Sequence, residues 1–244
     1  MQKLFLKKIR LTTYFLILFC VYALICLFVP KIKFDGSALT LFSVNSFLYG
    51  FYIAPILAGQ KTRIEEIHKI IRTEANALFS MMLALKKYPQ PIRGELKELI
   101  WQYVEICSRH QKATKGEVAY EKMITYCLDY KGAHTSEIEK FLDMLVANQQ
   151  NRTNLGMQLS NRVYSNEWMV MIVLFAVTLT FVMLIDAGPS ILYKLLAALL
   201  ATGLSMLLVI LLKMSTLTHK KAKQAWQPYS TLLKSHFYRI DEAA

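Results

Sequence analysis

Four stretches of this chain run for 18 or more residues without a single charged side chain, and that feature limits the fold more than any other. Leu11 to Pro30 carries no Asp, Glu, Lys or Arg. Gly36 to Gln60 is bounded by Asp35 and Lys61, Trp168 to Ile185 by Glu167 and Asp186, and Leu195 to Leu212 by Lys194 and Lys213. The last run begins earlier by hydropathy, near Pro189. A bilayer core of about 30 Å takes about 20 apolar residues of helix to cross. Buried helices of water-soluble domains rarely go so long without a charge. The chain is therefore expected to be an all-α, polytopic membrane protein with four transmembrane helices. Composition agrees, since 55% of residues are apolar, above the roughly 45–50% of soluble domains.

The first run resembles a signal peptide only at its start, where Lys3, Lys7, Lys8 and Arg10 form a basic segment. Its apolar stretch exceeds the usual ~7–15 residues, and Phe28-Val29-Pro30-Lys31 is a poor cleavage site. An uncleaved signal anchor is the expectation. Orientation follows from Lys and Arg in the flanks. Basic residues gather before the first span and after the last, at Lys213, Lys220, Lys221 and Lys223. The loop at Asp186-Ala187-Gly188-Pro189 has none. Both termini and the segment between the second and third spans are thus expected in the cytoplasm. The expected organisation is a basic tail over 1–10, spans 1 and 2 over 11–60, a cytosolic helical region over 61–166, spans 3 and 4 over 167–213, and a cytosolic tail over 214–244.

The middle segment is helical by period. Ile64, Ile67, Ile71, Leu78, Met82 and Leu85 share one face, and the helix is expected to stop near Lys86-Lys87-Tyr88-Pro89, because a residue before proline avoids the helical region. A second helix is expected from Pro91 to Lys112 and a third from Glu117 to Tyr130. A fourth is expected from Thr135 or Ser136, with Glu139 completing a capping box. In Asn148-Gln149-Gln150-Asn151-Arg152-Thr153-Asn154 the apolar stripe disappears. The plain reading of that run is a loop or a solvated face; the sharper one is a polar vestibule lining.

The sequence has no recognisable catalytic or cofactor motif. His68, His110, His134, His219 and His236 are scattered without metal-ligand spacing. GxSxG and the P-loop are absent. No enzyme activity and no cofactor are expected. His68, Glu65 and Arg72 share a helix side and read as a surface ion cluster. Cys20, Cys26, Cys107 and Cys127 lack CxxC spacing and read as small packing residues. The net charge of +12 is accounted for by positive-inside bias and attraction to anionic lipid. Nucleic acid is not an expected partner.

The second span departs most from a passive anchor. Phe47 and Phe51 are four residues apart and share a helix face, with Ser43 one turn earlier. Asn45 and Ser46 place polar groups deep in the span. Pro55 deprives the Phe51 carbonyl of its helical donor and marks a kink. Intramembrane polar groups face other helices or water, so packing between spans and a pore wall are the two readings.

Ser46-Phe47-Leu48-Tyr49-Gly50-Phe51-Tyr52 resembles the SFxxGFY stretch on the pore-lining second helix of bestrophin channels. The layout of two spans, a cytosolic helical middle and two spans is similar as well. Glu74-Ala75-Asn76-Ala77-Leu78 and Tyr164 to Trp168 look like the bacterial bestrophin-like membrane proteins. The resemblance implies five subunits around one ion pathway, with Phe47 and Phe51 as hydrophobic neck residues. Ser43 stands where a third apolar neck residue would fall. Gln60-Lys61-Thr62-Arg63 replaces the tryptophan-rich segment of the animal proteins, and their acidic calcium clasp has no counterpart. The functional expectation is a homo-oligomeric ion channel, pentameric by preference and anion-conducting, in contact with membrane lipids and permeant ions in a bacterial inner membrane. The alternative is a non-conducting scaffold, or a stress or defence effector, whose cytosolic helices bind a partner.

Overall fold

The computed structural model describes residues 9–110, 116–186, 188, 190–218 and 224–234. The basic residues before Ile9, the end of the expected second middle helix at Lys112 and the lysines at 220, 221 and 223 lie outside that set. The described residues form eight helices: α1 (Leu11–Phe28), α2 (Gly36–Leu85), α3 (Gln90–His110), α4 (Glu117–Asp129), α5 (Thr135–Ser160), α6 (Ser165–Leu184), α7 (Ile191–Ser215) and α8 (Gln227–Lys234). Four of the helices are long and apolar enough to cross a membrane. The protein is all-α, with four apolar helices and a non-spanning helical middle region.

The second span and the first middle helix are one element. α2 runs unbroken for 50 residues with Pro55 inside it. At about 1.5 Å per residue it is about 75 Å long, more than twice a bilayer core. It ends at Leu85, just before Lys86 and Pro89. The chain divides into two compact units, one of Met1–Thr62 with Arg162–His219, the other of Arg63–Asn161 with Lys220–Ala244.

In the first unit α1 and α6 both pack on α7. Cys26, Val182, Met183, Ala198 and Ala201 make one buried cluster. Tyr49, Ile53, Val163, Met171 and Leu211 make a second. Only 6% of the apolar window of α1 is buried within the protein, so most of its surface needs a lipid or protein neighbour. The loops after α1 and α6 are joined: the Ile32 amide donates to the Leu184 carbonyl at 2.8 Å, and the Asp186 amide to the Ile32 carbonyl at 3.0 Å. Lys31 Nζ donates to the Met183 carbonyl at 2.6 Å. Gly188, at φ +110°, makes the tight turn there, and its amide donates to Asp186 Oδ1. Lys213 is buried, donating to the Ile9 carbonyl at 2.6 Å with its ammonium over the Tyr14 ring.

In the second unit α3 packs on α4 and α8, and α4 on α5. Ile71, Leu78, Leu96, Ile100, Val104, Met123 and Phe141 are fully buried. Two expectations for α5 are corrected. Its N-cap is His134 without a side-chain cap, and Thr135 Oγ1 donates to the Gly132 carbonyl, so the Ser136–Glu139 capping box does not form. The run Asn148–Asn154 is not a loop, and it is solvated only in part, at Gln150 and Thr153. It is helix, and Asn148 and Arg152 point inward beside Leu145 and Leu155. All four cysteines are free thiols; Cys26, Cys107 and Cys127 are buried and Cys20 is exposed.

Candidate functional site

The aromatic face of α2 is unused by the rest of its own unit. Phe47 and Phe51 are each 69% exposed. Their rings stack at 6.0 Å between centroids and 20° between planes. Ser43, Gly50, Ala54 and Pro55 are exposed as well. Tyr49 and Ile53, half a turn away, are almost fully buried against α6 and α7. Helical period alone produces this division, because residues four apart share a face and residues two apart do not. Ser43, Phe47, Phe51 and Pro55 are thus brought together on one outward stripe.

The polar residues beside that stripe divide differently. Asn45 Nδ2 donates to Thr178 Oγ1 at 2.7 Å and to the Leu174 carbonyl at 3.1 Å, both on α6. Thr178 Oγ1 donates in turn to the Leu174 carbonyl. Asn45 therefore joins helices and is not part of the outward stripe. The Tyr49 hydroxyl donates to the Leu204 carbonyl at 3.2 Å, and Tyr22 and Ser205 share a hydrogen bond of 2.7 Å. Ser46 Oγ is buried and has no hydrogen-bond partner among the described residues.

A second concentration of chemistry lies inside the second unit. Glu74 is completely buried. The Tyr103 hydroxyl donates to its Oε1, and the Tyr229 hydroxyl donates to its Oε2 at 2.5 Å. Arg152 Nε donates to the Tyr103 oxygen at 3.2 Å, and its guanidinium lies 3.8 Å over the Tyr120 ring. Arg152 also reaches Gln149 Oε1 at 2.7 Å and pairs with Glu117 at 3.4 Å. The Tyr120 hydroxyl donates to the Leu145 carbonyl and accepts from Asn148 Nδ2. Burial pushes the Glu74 carboxyl above its ordinary value, with Tyr103, Tyr229 and Arg152 opposing. Burial, then the nearby Glu74, raise Tyr103 and Tyr229 well above theirs. Cys107 is pushed up to about 12, mainly by burial and then by Glu74.

This network was missed from sequence because its members come from α2, α3, α4, α5 and α8. The available signal was the spacing of Leu145, Asn148, Arg152 and Leu155, which continues the buried period of α5 through polar residues. Glu74 is enclosed by the two tyrosines, which gives it a structural role rather than contact with substrate. Among the described residues no group of three His, Cys, Asp or Glu side chains is placed to hold a metal ion.

Four apolar helices, an outward aromatic stripe on the second and a separately cored helical middle define a polytopic all-α membrane protein. The chain belongs to the Bestrophin-like domain family, whose model matches residues 30–217. The match takes in α2 to α7 and leaves α1 and α8 outside. Searches of curated proteins and of solved structures find no match to the chain.

Proposed function

We propose that the protein is the subunit of an oligomeric bestrophin-like channel in which the stripe of Ser43, Phe47 and Phe51 faces a central ion pathway. The observation that carries this reading is the outward, stacked Phe47–Phe51 pair on a helix that buries Tyr49 and Ile53 on its other side. A pair of large aromatics left uncovered by its own unit calls for lipid or other subunits. Family membership favours the latter. One four-helix subunit does not enclose an aqueous route, whereas a closed ring does. Five copies are the favoured number.

In such a ring phenylalanines offer an ion no hydrogen bonds, and a narrow apolar constriction empties of water and blocks flow. Phe47 and Phe51 form the dry gate; Ser43 supplies a wetter turn. Anions are the favoured cargo, since aromatic edges carry positive potential and a subunit of net charge +12 raises local anion concentration. Both termini and the second unit are on the cytoplasmic side. Cysteines introduced at the exposed Lys33 and Lys131 should then label from outside and inside the cell respectively.

The test is conductance of the purified protein in planar bilayers with asymmetric salt, for the parent and for Phe47→Ala/Phe51→Ala. A larger current in the double variant, with its ring intact by mass measurement, supports the gate. An intact double variant passing no more current than the parent removes it. The scaffold reading then takes precedence, with the pair as helix-packing aromatics.

A further inference from the structure

We propose that the second unit carries a binding site for a small organic phosphate in the cavity between α2 and α8, and that the occupant fastens α8 to α2. The inference does not depend on ion conduction. The cavity has a volume of about 480 Å³, inside the range of about 300–1,000 Å³ usual for small-molecule pockets. Its polar lining is made of donors. His68, Arg72 and Asn76 are spaced one turn apart along α2, and they are faced by Gln224, which precedes α8, and by Gln227 at its start. Among the described residues no carboxylate lines it.

Arg72 is exposed, and among the described residues it has no hydrogen-bond or ion-pair partner. A guanidinium with its fork unengaged, beside amide donors on two walls, matches the several acceptor oxygens of a phosphate monoester. Phe79, Pro228 and Leu232 supply an apolar wall for the body of the molecule. Thr231 also lines the cavity, but its hydroxyl donates to the Gln227 carbonyl within α8. A second cleft along α2 shares His68, Arg72 and Asn76 and adds Lys69 and the single acid Glu65, so the surroundings stay net positive. Tyr229, within the same helix turn as Gln227, already holds α8 through Glu74. A ligand bridging Arg72 to Gln227 adds a second fastening from the open side.

Two sources supply this chemistry, a soluble metabolite or a lipid headgroup, and two probes separate them. The full-length protein in detergent is titrated with AMP by calorimetry. The same protein in nanodiscs with and without phosphatidic acid is followed by hydrogen exchange over residues 227–234. Binding of AMP, with slowed exchange in that helix, identifies a soluble ligand. Slowed exchange with phosphatidic acid alone identifies a lipid. In either case Arg72→Ala should weaken the effect about tenfold or more, the loss of a charge-assisted hydrogen bond. Gln227→Ala should weaken it too, and Lys131→Ala, an exposed position outside the cavity, should not. Absence of both effects overturns the proposal, as does an effect indifferent to Arg72→Ala and Gln227→Ala.

Discussion

Glu74 and Tyr229 are separated by 155 positions in the chain, yet the Tyr229 hydroxyl donates to the Glu74 carboxylate at 2.5 Å with both side chains fully buried. The contact seats α8, which also packs on α3 and stacks Tyr229 on Trp226 at 5.8 Å. Tyr229→Phe keeps the ring and removes the donor, leaving one carboxylate oxygen buried without its partner. The expected cost is about 1–3 kcal/mol. It should appear as faster hydrogen exchange in α8, with α1 and α7 unchanged. Unchanged exchange in α8 would mean that packing alone seats the helix.

The same carboxylate makes the second unit sensitive to pH. Its folded-state value is raised above the ordinary 4.5, chiefly by burial. A group raised on folding binds its proton more tightly in the folded state, so its stabilisation is complete below the ordinary value. That stabilisation is lost as pH rises through the folded value. The neighbours do not titrate in this window: Cys107 is pushed up to about 12, and Tyr103 and Tyr229 lie well above their ordinary 10. Arg152 remains charged, because Tyr103, Glu117 and Glu74 outweigh the burial that opposes it. The unfolding midpoint of the second unit should therefore fall as pH rises above 4.5, with a slope of at most about 1.4 kcal/mol per pH unit for one proton. Glu74→Gln should flatten that component. A Gln variant with the parent's slope would assign the dependence to another group.

Legibility from sequence followed how local the cause was. An uncharged run long enough for a bilayer is a property of neighbouring residues, and α1, α6 and α7 fall where the runs do. The stop of α2 at Leu85 was legible for the same reason, through Lys86 and Pro89. The sharing of Ser43, Phe47 and Phe51 on one face follows from spacing alone. What a second segment supplies was hidden. Arg152 reads as solvated until Tyr103, Tyr120 and Glu117 arrive from α3 and α4 to surround it. Asn45 reads equally as a pore group or a helix joiner until Thr178 is beside it. Capping illustrates the same limit at short range. Ser136 and Glu139 have the spacing of a capping box and do not form one, whereas Glu167, read only as a charge bounding a span, accepts from the Tyr164 amide at 2.9 Å.

Asn45 and Ser43 differ by only two positions but face opposite surroundings, and their alanine variants should differ accordingly. Asn45→Ala removes donors to Thr178 and to the Leu174 carbonyl. Interhelical hydrogen bonds in membrane proteins are worth about 0.6 kcal/mol on average and about 1.7 at most. Thermal unfolding in detergent should show a loss of that order for Asn45→Ala. Ser43 is exposed in the subunit, so Ser43→Ala should leave subunit stability within about 0.5 kcal/mol of the parent. Equal effects of the two substitutions would contradict the division of α2 into an inward and an outward face.

Gly116 tests the rigidity of the buried network from its edge, where its carbonyl accepts from the Tyr120 amide at 3.0 Å. A Cβ at this residue would fall 2.6 Å from Tyr103 Cε2 and 2.7 Å from Cys107 Sγ. Both distances are shorter than a packed interior allows, so something must move. The Tyr103 ring is poorly placed to do so. It donates to Glu74, packs edge-on against Tyr120 at 5.2 Å and lies under Arg152. Displacing it would disturb the carboxylate, the guanidinium and a second tyrosine together. Gly116→Ala is therefore expected to cost about 1–3 kcal/mol, the usual range for overpacking, and at this N-cap alanine is also the poorer residue. The loss should be read as a lower unfolding midpoint together with faster exchange in α3. Cys107 is the more compliant neighbour, and Cys107→Ala removes its sulfur from the path of the new methyl. Adding Cys107→Ala to Gly116→Ala should recover part of the loss even though Cys107→Ala alone destabilises a buried site. Strict additivity of the two substitutions would show that the methyl is accommodated by the backbone and that the Tyr103 network is softer than its hydrogen bonds imply.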